Sequence, residues 1–309
     1  MELQGKKILI TGGGGFLGTA MQARLKARGI PENNIYVPRE EEGDLRIAEV
    51  CDRAVRGMDV VIHLAGVTGG VTFHRARPGS IFYDNLIMGV QCMDAARRAG
   101  VEKFVTAGSV AEYPSTAAVP FEEATLWDGY PDLVHAPYAV AKTMLLAQAQ
   151  AYRAQYGFNG IHLLLTSMYG PGEKGDFVIP ALIGRMEEAV EKGESSVAVW
   201  GTGNATRDFL YVEDAAEGIV RAAEQYDMPE PANLASGKET AIRDLAKTIA
   251  RLVGYKGEIV FDPTKPDGAP RRVVGIRRAR ESFGFVPMSG LEDGLRATIA
   301  WHRGHPAAR

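Results

Sequence analysis

The feature that most constrains this chain is a glycine run close to its start, Gly12-Gly13-Gly14-Gly15-Phe16-Leu17-Gly18. It follows the short apolar run Ile8-Leu9-Ile10-Thr11 and precedes an amphipathic stretch from about Phe16 to Arg28, so it reads as the turn of a strand-turn-helix unit. A glycine run by itself is equally a flexible loop. Set between a strand and a helix, with the spacing G-x-x-G-x-x-G, it lets the backbone approach a pyrophosphate lying on the positive end of the helix. Gly12, Gly15, Phe16, Leu17 and Gly18 are therefore the expected dinucleotide contacts. The expected fold is α/β, a doubly wound parallel-sheet Rossmann fold.

The alternation continues downstream. Asn34 to Val37 reads as a second strand and is followed by Pro38-Arg39, where a chain selecting NAD usually carries an acid for the ribose 2'-hydroxyl. Arg39 can meet a 2'-phosphate with a charge-assisted fork, which points to NADP(H) as cofactor; a solvated loop arginine is the alternative. Asp44 either borders the adenine or caps the helix that starts near Ile47. Asp59 to Gly66 is apolar almost throughout, as a parallel strand covered on both faces should be, with His63 expected as a core histidine. A fourth strand, Lys103 to Ser109, ends where ligands of open parallel sheets sit, so Ser109 either bonds a substrate oxygen or caps its own loop.

Pro137 to Tyr156 reads as helix, and within it Tyr138 and Lys142 stand four residues apart on one face. A phenol with an ordinary pKa near 10 is a poor proton donor or acceptor at pH 7, and a neighbouring ammonium is expected to favour the phenolate. Of the 11 tyrosines only Tyr138 has a lysine four residues on. Combined with a dinucleotide turn, the pair reads as a proton-transfer couple for hydride chemistry.

Composition narrows the partners. With 309 residues, 46% hydrophobic and 24% charged, the chain is expected to be a globular protein with one large core or two fused ones. A formal net charge of -3 gives no footprint for nucleic acid or an anionic membrane, despite the local arginines between Arg271 and Arg280. No apolar run approaches the ~20 residues of a membrane span, so the expected location is the cytoplasm. Cys51 and Cys92 fall in predicted helices without metal-like spacing, and no metal is expected. Residues 1–170, completed by about 195–226, are expected to form the dinucleotide domain; 171–194 and 227–309, which include the Pro/Gly-rich stretch Pro263 to Pro270, are expected to form a smaller α/β substrate lobe.

Several motifs resemble those of the extended short-chain dehydrogenase/reductases: Thr11 to Gly18, His63-Leu-Ala-Gly-Val-Thr-Gly-Gly70, Phe82-Tyr-Asp-Asn85, Tyr138-Ala-Val-Ala-Lys142 and Tyr169-Gly-Pro-Gly172. Others resemble the sugar-nucleotide branch and, within it, the GDP-fucose synthase group: Val178-Ile-Pro-Ala-Leu182, Val199-Trp-Gly-Thr-Gly203, Arg207-Asp-Phe-Leu210 and Lys265 to Arg272. The resemblance covers nearly the whole chain. It implies a catalytic Ser109, Tyr138 and Lys142, with Tyr138 protonating the C4 oxygen of a sugar as NADPH delivers hydride. It also implies cofactor contacts from Leu64, Ala65, Gly66 and Asn85, and substrate contacts from Ser167, Val178, Leu182, Arg185, Trp200, Arg207, Asp267 and Arg272. The implied partner is a nucleotide-diphosphate sugar, and the implied assembly is a homodimer.

The chain departs from that pattern at two positions. Where the group carries a cysteine and a histidine that move protons at C3 and C5, this chain has Ala111 and Phe177. Reduction at C4 without epimerisation is therefore expected. A 4-epimerase with retained cofactor, an epimerase-reductase using substitute residues such as His74 or His135, and a non-catalytic NADP sensor are the alternatives.

Overall fold

Four mostly apolar segments become strands buried on both faces over most of their length: β1 (Ile8–Thr11), β3 (Val60–His63), β4 (Lys103–Ser109) and β5 (Gly160–Leu165). The computed structural model describes residues 1–38, 43–173, 177–265 and 267–305. Among these, β2 (Ile35–Tyr36) and β10 (Ala232–Leu234) complete a parallel sheet of six strands in the order β2-β1-β3-β4-β5-β10. Ile8 pairs with Val60, Val60 with Lys103, Phe104 with Gly160 and Leu163 with Ala232.

Alternation along the strands assigns the two helical layers. Ile8, Ile10, Ile62 and Val105 pack beneath α1 (Phe16–Ala27) and α7 (Val212–Gln225). Leu9, Val61 and Phe104 face the opposite layer, made of α2 (Ala48–Ala54), α4 (Pro78–Arg98) and α5 (Ala136–Tyr156). The doubly wound architecture is thus the expected one. Because β2 and β3 lie on opposite sides of β1, the crossover direction reverses at the C-terminal ends of β1 and β3, where such sheets bind ligands.

A second core lies apart from the sheet. It unites α6 (Val178–Lys192), β7 (Ser196–Trp200), α8 (Ile242–Val253), β12 (Glu258–Asp262) and α10 (Leu291–Gly304) around Ile183, Met186, Leu245, Ile249 and Leu295. Two small sheets connect it to the first: β6 (Ser167–Tyr169) with β9 (Phe209–Tyr211), and β8 (Thr206–Arg207) between β11 (Thr240–Ala241) and β13 (Arg271–Arg272). The expected boundaries differ here. β7 pairs with β12 in the second core, as its alternation of exposed and buried residues fits, whereas β10 joins the main sheet and α9 (Arg277–Phe283) sends Phe283 into the first core. A strand of three residues carries too little pattern to be assigned to a sheet from sequence. Among the described residues no helix is long and apolar enough to cross a membrane.

Candidate active site

The glycine turn is tight because other backbone lies against it. Gly12 has φ +69°, and a Cβ there would stand 2.7 Å from the Ala65 nitrogen; a Cβ on Gly18 would overlap the Gly12 carbonyl. α1 begins after Gly15 with no side-chain cap and no acid in its first turn, so its leading N–H groups are available to an anion. Gly12, Gly15, Phe16, Leu17 and Gly18, together with Leu64, Ala65 and Gly66 beyond β3, line one wall of a cleft of about 700 Å³. This cradle fits a dinucleotide.

The same cleft receives Ser109, Tyr138 and Lys142. Ser109 is the last residue of β4, and its Oγ accepts a hydrogen bond from the Ala111 N–H at 3.1 Å. One turn apart on α5, the Lys142 ammonium lies 5.9 Å from the Tyr138 ring centroid and donates to the Ala65 carbonyl at 3.4 Å. Burial lowers Lys142 to about 8. Tyr138 contradicts the expectation of an easily formed phenolate: burial, and then the negative charge of Glu112, push the phenol well above its ordinary value. Desolvation penalises the phenolate, and the lysine expected to offset that is itself desolvated. The neutral phenol is accordingly the favoured form of Tyr138.

The far wall comes from the two small connecting sheets and the start of α6. Ser167, Phe177, Val178 and Arg272 reach the cleft, and Ala111 faces it from the turn after β4. Arg272 is the register partner of Arg207 across β13 and β8. Burial, then the Arg272 charge, lowers Arg207 to about 10, and burial lowers Arg272 as well. Among the described residues neither guanidinium has a carboxylate within ion-pair distance, and Arg207 donates to the carbonyls of Thr206, Ala269 and Asp267 at 2.7, 2.7 and 3.3 Å. The Asp267 carboxylate accepts from Thr202 N and Oγ1, both at 2.7 Å, which pins the turn after Trp200. Trp200 is 59% exposed, with the Arg185 guanidinium and the Lys265 ammonium each 5.8 Å from its ring. A line of cations and one open aromatic face thus leads away from Tyr138.

Residues 8–235 match the model of the NAD dependent epimerase/dehydratase family. The chain belongs to this family. It is 37% identical over 299 residues to a GDP-L-fucose synthase of Sinorhizobium fredii, covering 95% of this chain and 94% of that one. A GDP-L-fucose synthase of Escherichia coli is 33% identical over 310 residues, with 96% of each chain covered. Among solved structures, a GDP-mannoheptose C4 reductase from Campylobacter jejuni with NADP bound has a TM-score of 0.90 and 25% identity, with 98% of this chain and 99% of that one covered.

As a member of the epimerase/dehydratase family the protein was expected to use several further residues, and the structure places some elsewhere. Leu182 is packed in the second core at 3% exposure: it lies one turn along α6 on the same face as Val178, and only the first turn of that face reaches the cleft. Arg185 lies beside Trp200, outside the cleft. Asn85 is buried and grips the backbone of Val67, accepting from its N–H and donating to its carbonyl, both at 2.9 Å, so it shapes the wall without lining it. Asp44 caps no helix; it accepts from the Arg46 N–H and guanidinium, while Ile47 is the residue at the helix start. Arg39 lies outside the described residues.

His74, one of the two candidate substitute residues, packs beside the Tyr138 ring. It is buried on α3 (Val71–Ala76), its ring edge-on to Tyr138 at 5.8 Å and 5.0 Å from His135, and burial, then the His135 charge, depresses it. Neither histidine lines the cleft. His63 is a core histidine satisfied on one side: Nδ1 lies 2.8 Å from Thr11 Oγ1, Nε2 has no partner among the described residues, and burial depresses it to about 3. Two residues escaped the sequence reasoning, Glu112 and Glu173. Glu173 lines the cleft, is 7% exposed, and has an Oε2 without a partner among the described residues; burial pushes it up to about 8. Its only signal was a carboxyl directly after the turn Tyr169 to Gly172.

Proposed function

We propose that this protein is an NADPH-dependent reductase of the C4 ketone of a nucleotide-diphosphate 4-keto-6-deoxy sugar, acting without epimerisation at C3 or C5. The observation that carries the reading is the line from Tyr138 through Arg272 and Arg207 to Trp200. It suits a ligand with a ketone at one end, a diphosphate between and a stackable base at the other. Two partly desolvated guanidiniums are the groups a pyrophosphate calls for. The names of the similar proteins favour guanosine diphosphate as the nucleotide, and the neighbour with NADP bound favours that cofactor, as does Arg39 by its place after β2.

Bound NADPH supplies the hydride to C4. Ser109 donates its hydroxyl hydrogen to the ketone oxygen, and Tyr138, neutral in this setting, passes its proton to that oxygen as charge develops there. Lys142, close to the Tyr138 ring, offsets the phenolate left behind. Exchange beside the ketone needs a base at one face of the carbon and an acid at the other, and the methyl of Ala111 and the ring of Phe177 supply neither.

The test is turnover in D2O with NADPH and a panel of such sugars, read by NMR. The expected product is reduced at C4, unlabelled at C3 and C5, and unchanged in configuration at both. Deuterium at C3 or C5 would overturn the reductase-only reading. Its loss in Glu173→Gln would then favour an epimerase-reductase, since Glu173 is the one carboxyl among the described residues of the cleft.

A further inference from the structure

We propose that Glu112 is a positioning residue that holds the Ser109 hydroxyl in register with Tyr138, an inference that rests on the catalytic reading of both. Glu112 ends the single 3-10 turn that follows β4, and its side chain has no solvent exposure. Oε1 accepts from the Ser109 N–H at 2.7 Å. Oε2 lies 3.2 Å from the hydroxyl of Thr143, the residue after Lys142 on α5, whose one hydrogen it shares with the Ala139 carbonyl at 3.0 Å. One carboxyl therefore joins the strand end that carries Ser109 to the helix that carries Tyr138 and Lys142.

A second layer braces it. His162 on β5 brings Nε2 to 3.0 Å from Glu112 Oε2 and Nδ1 to 2.7 Å from Thr106 Oγ1. The Thr106 hydroxyl donates to the Ile161 carbonyl at 3.0 Å, so Nδ1 is assigned as the N–H, and Nε2 and Glu112 share one proton. Room for the pair exists because residue 108 is glycine: a Cβ there would overlap both His162 Nε2 and Glu112 Oε1. Burying an ionisable pair costs desolvation that apolar packing of the same volume avoids, so stability alone does not account for it. Position does. Backed by Glu112 through its own N–H and accepting from Ala111 through Oγ, Ser109 keeps its hydroxyl hydrogen for a ligand in the cleft.

The experiment compares Glu112→Gln, Ser109→Ala and the double variant for NADPH-dependent reduction of a nucleotide-linked 4-keto-6-deoxy sugar. Gln keeps the shape and can still accept from the Ser109 N–H. Glu112→Gln should hold KM within about 2-fold and lower kcat about 10-fold; added to Ser109→Ala it should cost less than about 2-fold more. An unchanged kcat, or the same loss on both backgrounds, overturns the proposal. If Glu112→Gln does not accumulate as folded protein, Thr143→Val removes the tie to α5 and leaves Glu112 in place; the Ala139 carbonyl, which also loses that hydroxyl, keeps its helical N–H partner. It should lower kcat about 3-fold or more in the wild-type background and leave Ser109→Ala unaffected, and equal losses would again overturn the idea. Should Ser109→Ala itself retain full turnover, the catalytic reading of Ser109 fails first and this inference falls with it.

Discussion

The floor and the far wall of the cleft are built on opposite terms. In the floor, at the ends of β4 and β5, the polar groups are buried and paired with one another: Ser109 with Glu112, Glu112 with His162, His162 with Thr106. Among the described residues of the wall, Glu173 has an oxygen without a partner and Arg272 has no carboxylate at ion-pair distance. Buried polar groups are normally satisfied, and orphaned ones mark places where something else completes the bonding. The floor is finished in advance, which the proposed transfer of one proton at a fixed place requires. The wall is completed by what it binds.

Substitutions on the two sides should therefore fail in different ways. Tyr138→Phe, on the floor, removes the donor while keeping the ring, and should lower kcat by about 100-fold or more with little change in KM or in NADPH affinity, measured by steady-state kinetics and cofactor titration. Near-full turnover would move the proton to another group and erase the distinction. On the wall, Arg272→Leu should act mainly through KM, raising it by roughly 10- to 100-fold, as loss of a charged contact worth about 1.5–3 kcal/mol would. A kcat effect as large as that of Tyr138→Phe would mean that the wall takes part in chemistry.

The smallest expected effect is on stability. Glu173 is raised to about 8 when folded, against an ordinary 4.5, so between those values the folded protein holds a proton that the unfolded chain releases. Stability should then fall as pH rises through that window. In thermal melts from pH 5 to pH 9, Glu173→Gln should lack this part of the decline and exceed wild type by a few degrees at the upper end, at about 2–4 °C per kcal/mol. Parallel curves would show that the carboxyl is not held neutral.

Much of the floor could be read from the chain because its parts follow each other at fixed spacing. A strand, a glycine turn and a helix are contiguous, and Tyr138 and Lys142 sit one helical turn apart, so backbone geometry alone brings them together. The network under Ser109 was hidden for the opposite reason. Glu112, Thr143 and His162 come from three elements, and each alone resembles a surface acid, a helix threonine and a strand histidine. Leu182 was misplaced because Val178 and Leu182 share one face of α6: its first turn meets the cleft, and one turn on the same face enters the second core, a depth that spacing does not reveal. The boundary near residue 227 failed because β10 is three residues long, below the length at which periodicity speaks.

That short strand has a consequence for how the protein can be made. β5 gains its second neighbour only from residues 232–234, and Phe283 and Phe285 reach the first core later still. A growing chain holding everything through α7 would still present one edge of β5 unpaired, with the apolar surface those rings cover left open. The sheet therefore closes by long-range pairing near the end of synthesis, a slow and aggregation-exposed step for a parallel architecture. The two halves cannot be cut apart at any single peptide bond, since the chain passes from one core to the other and back before it ends.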